Sequence, residues 1–319
     1  MSGVWNKKLP EFYQQMLLIR RFEEAAAKAY ASQKIKGFCH LYIGEESVAV
    51  GAIGTLQKSD NVICTYRDHG HALAKGMTPR SVMAELFGKE TGCSKGLGGS
   101  MHLFDSELGF MGGHGIVGGH VAVASGIAFA SQYLRQRSVT LCFLGEGATN
   151  IGGFYEGITY AALWNLPVVF IIENNLYSMG TPIFRSQPLE DLSQKANGFG
   201  IPGKRFDAAD VKVVYEEVKK AVNRARSGKG PTLLEAITYR FRGHSMSDPA
   251  KYRPSGELEE KKQKDPLKIT YDELLDMGIK EEELAAWDEN AKAQSLDSVQ
   301  FAEESNFPDK SLLDQYTYV

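Results

Sequence analysis

Apolar residues follow two kinds of pattern along this chain. Between Glu11 and Ser32, Phe12, Met16, Ile19, Phe22 and Ala26 recur at three- and four-residue steps, which predicts an amphipathic helix. Helical patterns return over Ser47–Leu56, Ser81–Phe87 and Val121–Leu134, in the stretch ending near Trp164, and over Val211–Arg226 with Val211, Val214, Val218 and Val222 on one face. Short unbroken apolar runs at Val62–Thr65, Val139–Leu144, Val168–Ile172 and Thr232–Thr238 predict strands covered on both sides. Strands alternating with helices predict an α/β fold, a doubly wound, mainly parallel sheet with helices on both faces. The expected organisation is one domain over residues 1–319. It has an N-terminal helix (1–35), a core (36–254) and a helical C-terminal tail (255–319) with helices near Lys268–Met277 and Lys280–Ala293. The charge run Glu257–Asp265 is expected to be a solvated face.

Each predicted strand runs into polar or glycine-rich residues. Tyr66-Arg67-Asp68-His69-Gly70-His71 follows the first and Gly145-Glu146-Gly147-Ala148-Thr149-Asn150 the second. Glu173-Asn174-Asn175 follows the third, and the fourth ends in Tyr239-Arg240-Phe241-Arg242-Gly243-His244. In an open α/β sheet these strand ends are where ligands bind. A right-handed βαβ unit brings Glu146 and Asn175 to one edge, with a backbone carbonyl near Tyr177 close by. A carboxylate, an amide oxygen and a carbonyl form a hard-oxygen set suited to Mg²⁺ shared with a diphosphate. Arg67 has the planar fork that binds phosphate oxygens in pairs. Gly92–Gly119 is expected to be an ordered loop whose backbone approaches a ligand, and Ser178–Gly203 a loop.

The competing reading is dinucleotide binding, since Gly145-x-Gly147 follows a strand and opens a helix. Asn150 replaces the third glycine, and Glu146 would face a pyrophosphate without a bridging cation, so the metal–diphosphate reading fits better. No GxxxxGK[ST] phosphate loop occurs in the sequence.

Composition narrows the choice further. A net charge of −3 gives no general attraction to nucleic acid or anionic membranes. No apolar run approaches the roughly 18 residues of a membrane span. Cys39, Cys64, Cys93 and Cys142 lack CxxC spacing and are expected to be reduced thiols. The polar start of the chain has no secretory pattern, so a bacterial-type cytoplasmic location is expected. All seven histidines fall between positions 40 and 244, which favours a polar cleft.

Gly145-Glu146-Gly147, followed about thirty residues later by Asn174-Asn175, resembles the signature of the α subunits of thiamine-diphosphate-dependent 2-oxo acid dehydrogenases. The resemblance runs from about residue 11 to 254. The segments 37–40 (GFCH), 95–102 (KGLGGSMH), 113–119 (GHGIVGG) and 242–249 (RGHSMSDP) are most similar to the pyruvate-type members. Those members mostly carry aspartate at the position of Glu146, and branched-chain relatives carry glutamate. The resemblance implies thiamine diphosphate and Mg²⁺ as cofactors, with Glu146, Asn175 and the Tyr177 carbonyl holding the metal. It implies that Tyr66 and Arg67 contact the diphosphate, that Gly147 and Ala148 line it, and that Gly115 and Val117 offer backbone groups to the aminopyrimidine. Met179 would prop the bent cofactor, and His40 and His244 would be the catalytic histidines. The implied reaction is oxidative decarboxylation of pyruvate, with acetyl transfer to the lipoyl group of a dihydrolipoyl acyltransferase. The glutamate that activates the aminopyrimidine would come from a β subunit, in an α₂β₂ heterotetramer. Acetoin and branched-chain 2-oxo acids remain alternative substrates.

Overall fold

The computed structural model describes residues 2–316; Met1 and the last three residues of the expected C-terminal tail lie outside the described residues. The chain opens with α1 (Ser2–Ala31), which begins before the apolar periodicity does. Its first turns are held because Leu9 is buried and Trp5 packs edge-on against Phe12 and Tyr215, despite the hydrogen bond that Pro10 removes. Then come α2 (Glu46–Ile53), β1 (Asn61–Thr65), α3 (His69–Lys75), α4 (Pro79–Leu86), β2 (Phe110–His114), α5 (Gly119–Tyr133) and β3 (Thr140–Gly145). Next are α6 (Gly152–Leu163), β4 (Val168–Asn174), a short ribbon of β5 (Tyr177–Ser178) and β6 (Thr181–Pro182), and α7 (Ile183–Ser186). The last sheet elements are β7 (Gly203–Asp207), α8 (Val211–Arg226) and β8 (Thr232–Ile237). Four helices close the described chain: α9 (Glu257–Lys262), α10 (Pro266–Asp276), α11 (Glu281–Glu304) and α12 (Leu312–Gln315).

Six strands form a wholly parallel sheet in the order β2-β1-β3-β4-β8-β7. Successive residues of the inner strands serve two cores. Leu141, Phe143, Val169, Ile171 and Leu234 point into the core shared with α1, α2 and α8. Cys142, Leu144, Val168, Phe170, Ile172 and Leu233 point into the core shared with α5 and α6. Both faces are covered, so these strands read as continuous apolar runs, as expected for a doubly wound sheet. No described helix is long and apolar enough to cross a membrane. The four cysteines are free.

Several expectations need correction. Gly92–Gly119 is not all loop: it contains β2, an edge strand in which two of five residues are glycine, so no apolar period marks it. Gly113 is required there because a Cβ would collide with the Asp68 carboxylate. Ser178–Gly203 holds β5, β6, α7 and a 3₁₀ turn over Leu192–Phe199. β7, the other edge strand, is mostly exposed and carries no signal beyond Phe206. α3 lies within the polar stretch after β1, its period hidden by buried histidines. α11 runs to Glu304 because Ser295, Ser298 and Ala302, small rather than apolar, are the residues it buries. The charge run over 257–265 is not simply solvated. Asp265 accepts two hydrogen bonds from Arg20 (3.1 and 3.0 Å), and Glu257 accepts from the Tyr177 and Tyr239 hydroxyls (2.7 and 2.8 Å). Those contacts fasten the tail to the core.

Candidate functional site

β1 and β3 are neighbours whose outgoing chains turn in opposite directions, β1 toward β2 and β3 toward β4. A crevice opens beyond the carboxyl ends of strands at such a switch point. Two adjoining cavities occupy it. The inner one, about 240 Å³, is lined by Tyr66, Arg67, Val117, Glu146, Gly147, Ala148, Asn175, Tyr177, Met179 and His244, together with Glu45, Glu173, Ser178 and Arg240. The outer one, about 630 Å³, shares Tyr66, Val117, Met179 and His244 and adds His40 and Gly115. All twelve candidate residues therefore lie on these walls.

The parallel register explains the meeting of Glu146 with Asn175. Gly145 pairs with Glu173, so the residues that leave β3 and β4 emerge side by side. Glu146 is buried, and burial raises its carboxyl above the usual carboxylate range. Its Oε1 accepts from the Ser178 hydroxyl at 3.0 Å. Asn175 Nδ2 donates to Glu45 at 3.2 Å, which turns its Oδ1 toward the Arg240 guanidinium. Arg240 Nη1 donates to both Asn175 Oδ1 (2.9 Å) and the Tyr177 carbonyl (2.7 Å), and Nη2 donates to the Met179 carbonyl and the Tyr252 hydroxyl. Two of the three predicted oxygens thus converge on one cationic nitrogen, with the Glu146 carboxyl on the same wall. The turn that presents it is strained: Leu176 and Met179 have φ of 74° and 55°. Such backbone costs about 1–3 kcal/mol per residue and concentrates at functional sites. Gly147 makes room in the wall, since a Cβ there would press on Ser178. Among the described residues no group of three His, Cys, Asp or Glu side chains could hold a metal ion. A cation here would depend on the mixed set of one carboxylate, one amide and one carbonyl.

His40 and His244 face each other with ring centroids 5.0 Å apart, and Tyr66 is 4.5 Å from His40. Burial and the Arg67 charge lower His40 to about 2 and His244 to about 4, so both are neutral at pH 7. Each has a buried Nδ1 without a partner among the described residues. Both rings are therefore neutral and keep hydrogen-bonding capacity that the described residues do not use. The other histidines have different tasks. His69 bonds Glu23 and Ser100, His71 bonds Glu173, and His120 bonds the Phe143 carbonyl. His102 and His114 contact backbone carbonyls of β2.

Arg67 lies on the wall, but its guanidinium donates to the Leu41 and His244 carbonyls (2.7 and 2.8 Å). It braces the two segments that carry the histidines and contributes its charge from behind them.

Residues 14–311 match the family described as "Dehydrogenase E1 component". The chain belongs to that family. It is 50% identical over 303 residues to the pyruvate dehydrogenase E1 component subunit alpha of Rhizobium meliloti, covering 94% of this chain and 87% of that protein. It is 48% identical over 309 residues to the subunit of the same name from Rickettsia felis (96% and 94%), and 45% identical over 319 residues to that of Porphyra purpurea (98% and 93%). Membership in the dehydrogenase E1 component family sets aside the dinucleotide-binding reading.

Sequence reasoning placed Arg240 and Glu173 in strand-end segments of the cleft without giving either a role, and it missed Glu45 and Ser178 as wall residues of this candidate site. Arg240 directly follows Tyr239 after β8 and obeys the same strand-end rule as Arg67, so its signal was present. Glu173 receives the Tyr42 hydroxyl and His71 Nε2 (3.1 Å), contacts from distant segments that no local pattern announces.

Proposed function

We propose that this chain is the α subunit of a pyruvate dehydrogenase, catalysing thiamine-diphosphate-dependent oxidative decarboxylation of pyruvate together with a β subunit. The observation that carries the cofactor assignment is the convergence of Asn175 Oδ1 and the Tyr177 carbonyl on a single cation position beside Glu146. The family match and the names of its relatives support the substrate. When bound, thiamine diphosphate supplies a nucleophilic carbon for the 2-oxo carbonyl and an electron sink as CO₂ leaves.

The chain's own residues would then act as follows. Glu146, Asn175 and the Tyr177 carbonyl would hold Mg²⁺, a hard cation suited to oxygen donors. Arg240 would offer its guanidinium to the diphosphate, and Tyr66 and Arg67 would contribute hydroxyl and charge from the β1 side. Gly147 and Ala148 allow close approach, Gly115 and Val117 present backbone to the aminopyrimidine, and exposed Met179 supports the bend. His40 and His244, held neutral by burial and by the Arg67 charge, would face the reacting carbonyl as hydrogen-bonding rings. The acetyl group passes to the lipoyl domain of a dihydrolipoyl acyltransferase.

The reading is tested by assembling the chain with its β subunit. Initial rates are compared on pyruvate, acetoin and 2-oxoisovalerate, with a lipoamide acceptor. Pyruvate is expected to turn over fastest. Faster turnover of either competitor would reassign the substrate, and full activity of the isolated chain would remove the requirement for a partner.

A further inference from the structure

The opposite edge of the sheet carries a separate cavity, about 280 Å³, away from the candidate site. Ser138 and Pro167, just before β3 and β4, line it, and so do Arg226 and Gly228 at the end of α8. Strands of five to seven residues rise about 3.3 Å per residue, so roughly 20 Å separate this cavity from the cofactor pocket.

Its charge is one-sided. Residues 131–138 and 223–231 together contain Arg135, Arg137, Arg224, Arg226 and Lys229 and no acid, in a chain whose net charge is −3. Only Arg226 has a carboxylate partner among the described residues. It grips buried Asp60, with Nη1 to Oδ1 at 2.9 Å, and also donates to the Arg137 carbonyl at 2.7 Å. Asp60 in turn accepts from the Val139 and Gln57 amides, so its oxygens are fully engaged. Arg135 and Arg137 line the cavity without an ion pair; Arg224 and Lys229 belong to the segment that contributes Ala225, Arg226 and Gly228 to the wall and have no ion pair among the described residues. Helix ends alone do not account for this charge. The carboxyl ends of α5, α6 and α8 point to this edge and present roughly −0.5 each, about −1.5 in all, against the two unpaired cations of the wall and two more in the adjoining segment. The rest of the wall is polar: Gln132, Gln136 and Asn165 supply amides and Ser138 a hydroxyl. No carboxylate is among the lining residues.

We infer that this cavity binds a small phosphate ester. Arg135 and Arg137 take the phosphate, because a planar guanidinium binds two of its oxygens at once. The amides hydrogen-bond the sugar or base that the phosphate carries. The shape and position suit a regulatory ligand, since β3 and β4 run from this cavity directly to Glu146 and Asn175.

The test uses the chain assembled with its β subunit, its cofactor site first saturated with thiamine diphosphate and Mg²⁺. Calorimetric titrations with ribose 5-phosphate, AMP and inorganic phosphate are run at matched ionic strength. At least one ester is expected to bind, more tightly than inorganic phosphate, and comparison of the two separates a sugar phosphate from a nucleotide. Arg135→Gln/Arg137→Gln should weaken that binding at least tenfold while the melting temperature without ligand stays unchanged. Asn165→Asp, which places a carboxylate on the wall, should weaken it too. Absence of binding by both esters, equal binding of inorganic phosphate, or undiminished binding by the double variant would overturn the proposal.

Discussion

At Gly147 an added Cβ would lie 2.5 Å from Ser178 Oγ and 2.9 Å from Ser178 Cβ. Neither contact is tolerable, so in Gly147→Ala the serine must move. Its hydroxyl donates to Glu146 at 3.0 Å. A hydrogen bond to a charged group contributes about 1.5–3 kcal/mol, and crowding the serine Cβ adds about 1 kcal/mol, the low end of overpacking costs. The wall that carries Glu146 is therefore perturbed by about 2.5–4 kcal/mol, which read as affinity is roughly 60- to 700-fold. The assay is calorimetric titration of thiamine diphosphate into the assembled enzyme at saturating Mg²⁺. Ser178→Gly removes both clashing atoms along with the hydrogen bond, so it should lose affinity by itself. Adding Gly147→Ala to that background should cost little more. Additive losses in the double variant would refute the reasoning, because the methyl would then be opposing the ligand and not the serine. Wild-type affinity in Gly147→Ala would refute it equally.

Glu23 on α1 accepts from the Tyr42 amide and from His69, which in turn bonds Ser100 in the glycine-rich stretch. Burial opposes charge on His69 but Glu23 outweighs it, so its pKa is raised; Glu23→Gln should cost about 3 kcal/mol and expose residues 95–117 to limited proteolysis, whereas an unchanged digestion pattern would contradict the link. Burial pushes the Asp68 carboxyl from 3.8 up to about 8, so the folded chain keeps a proton that the unfolded chain releases. The stability contributed by this group therefore falls as pH rises from about 4 to about 8; melting curves of Asp68→Asn should lack that decline, and parallel profiles would exclude it. Glu146→Gln keeps the shape of the wall and removes the charge, so Mg²⁺-dependent cofactor binding should weaken by at least tenfold with no loss in melting temperature.

Much of this architecture is visible in single residues. The runs over 139–144 and 168–172 were legible as strands because both faces of the sheet are covered, which makes every position apolar. Glu146 and Asn175 were legible as partners because parallel pairing and right-handed crossover dictate which ends of strands meet. The edge strands were not: Phe110–His114 is largely buried but two of its five residues are glycine, and Gly203–Asp207 buries only Phe206. Nor was the role of Glu257, whose acceptors face tyrosines from β5 and from the exit of β8. A carboxylate in a charged run looks solvated until the fold delivers distant hydroxyls to it. Arg67 shows the complementary limit. Its location follows from the strand-end rule, whereas the direction of its guanidinium depends on carbonyls 26 and 177 residues away in sequence.

β8 is the last strand in the chain, yet it lies inside the sheet, between β4 and β7. The amino-terminal two thirds of the protein therefore cannot complete its sheet during synthesis. β4 waits with an open edge until residues 232–237 have emerged, and the long sequence separation makes this closure a slow step. Arg240 follows three residues later and ties Asn175, Tyr177 and Met179 together. Completion of the candidate cofactor pocket therefore depends on docking of the final strand. A nascent or truncated chain lacking that strand would present an unpaired β edge to chaperones and neighbours, not a weakened cofactor site.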